Sequence, residues 1–164
     1  MKKLVIFSTL TGNTEKIADA IFSVIEGNKK LLNVKDSDKI NPDDYEKIIV
    51  GYWVDKGDAD EKIKAFMSKI NNKTVATFGT LGAKADSEHA KKCMAAVREF
   101  LEANGNKVER EFICQGAISP QLIERFRKMT KEGTVTGHHA ATPETEKRWA
   151  EAAKHPDETD IENA

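Results

Sequence analysis

The chain has no excess of charge of either sign. Its 26 Lys and Arg stand against 27 Asp and Glu, a formal net charge of -1. A protein whose main partner is nucleic acid needs a basic surplus to neutralise phosphates, so that class is excluded. Cysteine is scarce: Cys93 and Cys114 lie far apart and form no Cys-x-x-Cys motif. They read as buried, reduced thiols of a cytosolic protein, one on the apolar face of a helix and one at the end of an apolar strand. Long apolar runs are missing too. Met1-Lys2-Lys3 is followed by only four strongly apolar residues, too short for a signal sequence, and no run approaches membrane-spanning length. A cytoplasmic location, no membrane partner and a monomer are therefore expected. No Ser-His-Asp order or paired-carboxylate pattern points to hydrolysis. His138-His139 has no Cys or third ligand at metal spacing and reads as a solvated loop, so no metal is expected. Arg125, Arg127, Lys128 and Lys131 are flanked by Glu124 and Glu132 and read as a solvated helix face.

What is present is an alternation of short apolar runs with helical stripes. The 164 residues suffice for one domain with a real core, expected over 1–164 with a polar tail from about 156. Strands are predicted at Leu4–Phe7, Lys30–Val34, Ile48–Val50, Thr74–Phe78 and Val108–Cys114. Helical faces are marked by Ile17, Ile21, Val24 and Ile25, by Ile63, Phe66, Met67 and Ile70, and by Ala90, Cys93, Met94, Val97 and Leu101. Further helices are predicted after Pro120 and at Thr142-Pro143-Glu144, which combines a hydroxyl cap, a first-turn proline and an acid. Five strands alternating with helices imply a three-layer, doubly wound α/β fold with a parallel sheet.

The segment Ser8-Thr9-Leu10-Thr11-Gly12-Asn13-Thr14 sits between the first strand and the first helix. It offers four hydroxyls, one glycine and one amide where unpaired N–H groups and the positive end of a helix dipole point outward. A phosphate is the expected occupant, bound by neutral donors because the loop has no Lys or Arg. A P-loop is excluded because Gly12 is followed by Asn-Thr-Glu, and a dinucleotide fingerprint because only one glycine is present. A phosphate-accepting receiver domain would carry acids where Ser8-Thr9 stand.

Thr9 through Thr14 resembles the phosphate loop of flavodoxins, with its Thr/Ser-x-Thr-Gly-x-Thr pattern. The resemblance covers roughly residues 3 to 155 in layout, with its specific motifs confined to three loops. It implies a flavodoxin-like fold with strand order 2-1-3-4-5; the order comes with the resemblance, not from the periodicity. It also implies flavin mononucleotide (FMN) as cofactor, contacted by the loops after the first and third strands. In the loop after the third strand, Tyr52, Trp53 and Val54 are candidates for the ring site. Successive strand residues point opposite ways, so only one of the two aromatic rings can lie on a flavin. Trp53 is expected there because it is nearer the loop tip. Lys56-Gly57-Asp58 resembles the segment whose glycine peptide flips in flavodoxins, so that its carbonyl meets reduced flavin N5. After the fourth strand, Thr80, Leu81, Gly82 and Ala83 would donate backbone hydrogen bonds to the ring edge. This loop lacks the aromatic that many flavodoxins stack on the second ring face, which leaves that face to Leu81 or Ala83, or open. Gln115-Gly116 is a weaker rim candidate.

The expected function is electron transfer by an FMN-binding protein between redox partners, a reductase and an electron acceptor. Segments such as Gly51-Tyr52-Trp53-Val54-Asp55-Lys56-Gly57 and His155-Pro156-Asp157 resemble a flavodoxin-like subgroup, some of whose members are associated with bilirubin reduction by gut bacteria. The rim is expected to be acidic, from Asp55, Asp58 and Asp60 against Lys56, and from Asp86 and Glu88 against Lys84. Two alternatives stand beside this reading. One is an FMN-dependent NAD(P)H oxidoreductase acting on quinones or another small acceptor. The other is a binding module that kept the fold and lost the flavin.

Overall fold

A computed structural model describes residues 1–164. Strand β1 (Lys2–Phe7) ends in four consecutive buried residues, the mark of a central strand covered on both faces. Helix α1 (Asn13–Val24) follows, then β2 (Asn28–Asn33) and β3 (Lys47–Asp55). A two-residue strand, β4 (Asp58–Ala59), precedes α2 (Glu61–Met67), β5 (Thr74–Leu81), α3 (Glu88–Glu102) and β6 (Lys107–Gln115). The C-terminal part holds α4 (Pro120–Lys131), α5 (Pro143–Ala152) and α6 (Glu158–Asn163). The long strands pair in parallel in the order β2-β1-β3-β5-β6, the expected 2-1-3-4-5 arrangement. The short β4 is an addition to the five expected strands. It pairs antiparallel with the end of β3 because Lys56 (φ 50°) and Gly57 (φ 84°) form a two-residue turn with both central residues at positive φ.

Alternation along the strands divides the core in two. Leu4, Ile6, Ile48, Val50 and Tyr52 face Ile63, Phe66 and Met67 of α2 and Val97 and Leu101 of α3. Val5, Phe7, Ile49, Phe78 and Cys114 face Ile17, Ala18 and Ile21 of α1. Close approach requires glycine at position 79: a Cβ there would lie 2.5 Å from the Tyr52 ring, which lies across that strand. Both thiols are buried, and burial pushes Cys114 up to about 12.

The C-terminal third departs from a layered pattern. Helix α4 buries no residue; it meets α5 through Phe126, stacked 6.0 Å from Trp149, and through Arg127, bonded to Glu146 at 2.7 Å. His138 and His139 are exposed, as expected of a solvated segment, although the His139 ring also stacks on Phe126 at 4.9 Å. The polar tail is docked: α6 starts with a reciprocal capping box between Asp157 and Asp160 and packs on α1. No helix is long and apolar enough to cross a membrane.

Candidate functional site

The turn from β1 into α1 leaves donors without partners. Gly12 is the N-cap residue at φ 95°, and no side chain caps the helix. Thr9 Oγ1 accepts the Gly12 N–H at 2.9 Å, and the first intrahelical bond runs from Lys16 N–H to Gly12 O. The N–H groups of Asn13, Thr14 and Glu15 therefore have no protein acceptor, at the positive end of a twelve-residue helix. A hydroxyl-capped turn would have consumed one of them. Thr9 and Thr11 keep their own hydroxyl protons free to donate.

Three side chains of the loop are occupied otherwise. Ser8 gives its only hydroxyl proton to the buried carboxylate of Asp60, whose other oxygen caps α2 through Ile63 N–H at 3.3 Å. Ser8 thus ties β1 to α2 and is no free phosphate donor, contrary to expectation. Thr14 is fully buried with its hydroxyl 2.9 Å from that of Thr80. Its proton reaches a ligand only when Thr80 is the donor in that pair. Asn13 Nδ2 donates to Ala117 O at 2.9 Å and to Thr11 Oγ1 at 3.2 Å, so the amide joins two loops.

Two clefts open at the C-terminal ends of the strands and share Thr9, Leu10 and Trp53 as a dividing wall. The first, of about 160 Å³, holds the α1 start. It is lined further by Val54, Thr80, Leu81, Gly82, the segment Gly116–Ser119 and Leu122, and none of its lining side chains is charged. The second, of about 200 Å³, carries Asn33, Val34 and Lys35 and the charged Asp55, Asp60, Glu61 and Lys62. Trp53 is the one aromatic residue on either surface.

Several expected site residues lie elsewhere. Strand β3 continues to Asp55, so Tyr52 is a strand residue whose side chain points into the core rather than the cleft. Its hydroxyl is buried without a partner, and burial first, then the nearby Cys93, hold its pKa well above the usual phenol value. Lys56 and Gly57 form the hairpin tip outside both clefts, where Gly57 faces the His89 ring. Strand β5 runs to Leu81, so Thr80 and Leu81 end a strand; Ala83 lies beyond the lining. The acidic rim is also smaller than expected. Asp60 is buried, Asp58 pairs with Lys64 at 2.5 Å and Glu88 with Lys91 at 2.8 Å. Among the rim charges considered, Asp55 and Asp86 remain without ion-pair partners, against Lys56 and Lys84.

The wall Gly116–Ser119 with Leu122 was not read from the sequence beyond the Gln115-Gly116 rim. Its signal is Gly116, where a Cβ would lie 2.8 Å from Asn13 Nδ2. Ile118 covers Gly82, a Cβ there being 3.0 Å from Ile118 Cγ1, so an aliphatic residue packs on the loop that lacks an aromatic.

The comparisons with known proteins agree with this architecture. The flavodoxin domain family matches residues 4–164. A flavodoxin-like domain-containing protein BilS of Clostridioides difficile (strain CD3) is 33% identical over 166 residues, covering 100% of this chain and 92% of that protein. The protein of the same name from Clostridium symbiosum (strain WAL-14163) is 27% identical, covering 98% and 90%. Among solved structures, a flavoprotein in complex with FMN from Lactobacillus acidophilus NCFM has a TM-score of 0.56 at 20% identity, over 69% of this chain and 93% of that one. Oxidised flavodoxin 2 from Bacillus cereus has a TM-score of 0.52 at 17% identity over 99% of both chains. At such identities the structures speak to the fold alone. With the family match running from β1 to the last residue, and a full-length relative at 33% identity, the chain belongs to the flavodoxin family.

Proposed function

We propose that this chain binds FMN in the uncharged cleft and passes electrons between a reductase and an acceptor protein. The observation that carries the reading is the uncapped start of α1, where three N–H groups are free and two of the residues that carry them, Asn13 and Thr14, line that cleft. A terminal phosphate satisfies them with no cation needed. Trp53 offers a flat ring a face, and the apolar Leu81 and Ile118 line the same cleft. Bound FMN supplies one- and two-electron chemistry, which the protein positions and tunes. The partners are proteins, not nucleic acid, and the finer proposal is that the acceptor belongs to a bilirubin-reducing system. Its support is the subgroup resemblance and the full-length BilS relatives.

A direct NAD(P)H oxidoreductase is the second reading. It is favoured by the neighbouring cleft, where Lys35 and Lys62 stand beyond Trp53. Asp55, Asp60 and Glu61 share that cleft and oppose a dinucleotide phosphate. Stopped-flow reduction of the FMN-loaded protein separates the two. A carrier is reduced slowly by NADPH alone and quickly once a flavin-containing reductase is added. Fast, saturable oxidation of NADPH by the protein alone reverses the ranking. Because the free rim charges nearly cancel, the partner-dependent rate should vary only weakly with salt.

A further inference from the structure

We propose that the C-terminal turn and α6 latch the outer wall of the uncharged cleft, so that His155 and Asp160 set how tightly FMN is held without touching it. The proposal rests on that cleft being the FMN site. The wall is the segment Gly116–Ser119. The helix that follows, α4, buries no residue and is itself held mainly through α5, by Phe126 on Trp149 and Arg127 on Glu146. Its anchors come from other parts of the chain. On the sheet side, Gly116 N–H donates to Leu81 O at 2.8 Å and Gln115 Nε2 donates to Gly82 O at 3.0 Å. On the phosphate side, Ala117 O accepts from Asn13 Nδ2 at 2.9 Å. On the outer side, Ala117 N–H donates to His155 O at 2.9 Å. One peptide segment is thus bonded to the phosphate loop through its carbonyl and to the C-terminal turn through its amide.

The turn is locked in its own right. His155 Nδ1 lies 2.6 Å from Asp160 Oδ2, and the same oxygen accepts Asp157 N–H at 2.9 Å. Asp157 Oδ1 in return accepts Asp160 N–H at 2.9 Å. The side chains of His155 and Asp160 are only 21% and 18% exposed, so water competes weakly for these bonds. Three potential ligands converge here, but Asp160 Oδ2 already serves two donors, which makes the cluster a structural latch. Helix α6 then packs on α1, the helix whose start holds the free donors. The latch therefore grips both the wall and the helix it faces. Asp160 and His155 are positioning residues, acting through Ala117 and Asn13.

The test uses the full chain with FMN as the titrant and two readouts. Asp160→Ala should weaken FMN about five- to tenfold, the effect of losing roughly one hydrogen bond's worth of ordering, mostly through faster dissociation. In the FMN-free protein the Ala117 amide should lose hydrogen-exchange protection while central sheet amides such as Ile6 keep theirs. Asp160→Asn, whose side-chain oxygen still accepts, should recover most of both. If Asp160→Ala does not fold, His155→Ala carries the same comparison. Wild-type protein that binds FMN no more tightly than the Ala variant overturns the latch alone, as does an Ala117 amide whose exchange does not change. Wild-type protein that takes up no FMN overturns the reading of the cleft and this proposal with it.

Discussion

Removing the phosphate from the ligand is the most direct test of the α1 start. Riboflavin keeps the ring and loses the group expected to meet the N–H groups of Asn13, Thr14 and Glu15. A net hydrogen bond to a charged group contributes about 1.5–3 kcal/mol. Counting two of the three donors at the lower end gives about 3 kcal/mol. The helix dipole adds about 1 kcal/mol in a partly buried geometry. FMN should therefore bind roughly a thousandfold more tightly than riboflavin, since about 1.4 kcal/mol is a factor of ten. The protein-side perturbation is Thr9→Val, which deletes the oxygen that accepts Gly12 N–H and holds the turn, together with a free hydroxyl donor. It should cost FMN on the order of ten- to a hundredfold and leave riboflavin almost unchanged. Titration of flavin fluorescence into the FMN-free protein reads both. Riboflavin within threefold of FMN, or an equal loss for both ligands in Thr9→Val, refutes the phosphate assignment.

Trp53 emission should be quenched when FMN enters and Trp149 emission should not; a Trp53→Phe protein that still shows the full FMN-induced quenching removes Trp53 from the ring face. Gly79→Ala should lower stability by about 1–3 kcal/mol, visible as a reduced urea midpoint, because the new methyl would lie 2.5 Å from the Tyr52 ring. Gly133→Ala serves as its comparison, since no atom lies within 4 Å of a Cβ there and only its φ of 71° resists the change. His139 is held below its ordinary pKa of 6.5 by burial, then by His138 and Arg148. In the unfolded chain it takes up its proton near the ordinary value while the folded protein still resists, so stability falls as pH drops through about 6.5 and below. Thermal melts between pH 5 and 7 should flatten in His139→Phe, which keeps the stack on Phe126; an unchanged slope would show that another group carries the dependence.

The layers were legible because they follow from local pattern. Leu4–Phe7 is a continuous apolar run, and the stripes of α1 and α3 repeat at helical spacing; both survive in any context that buries them. The phosphate loop was legible as a place, since a strand end, one glycine and a helix start within seven residues leave few alternatives. Which hydroxyls are free was not legible. The proton of Ser8 is spent on Asp60, 52 positions away, and the hydroxyl of Thr14 meets Thr80, 66 positions away. Strand ends misled in a systematic way. β3 and β5 each continue beyond their apolar runs, because pairing with neighbours stabilises Gly51–Asp55 and Gly79–Leu81 despite weak local propensity. Extending β3 turns Tyr52 inward and leaves Trp53 at the cleft, so alternation separates the two rings as expected, within a strand rather than a loop.

The C-terminal third was the least legible part, for a physical reason. Two of its helices were readable, one after Pro120 and one from the cap at Thr142, but their burial was not, since an amphipathic stripe says only that a face wants covering. In α4 that stripe is met by other late elements, by Trp149 and His139, and not by the sheet. The wall of the cleft consequently depends on long-range bonds to Leu81, from Asn13 and to His155, at separations no periodicity reports. The same arrangement explains why the cleft needs no charge. Its polarity comes from backbone N–H groups fixed by the fold, and fixed dipoles cost no reorganisation when an anion arrives. A lysine in that loop would add attraction but also a flexible, hydrated side chain at the narrow end of a small cleft. Neutral, preorganised donors hold the phosphate while leaving the charged residues, Lys35, Asp55, Glu61 and Lys62, grouped on the far side of Trp53.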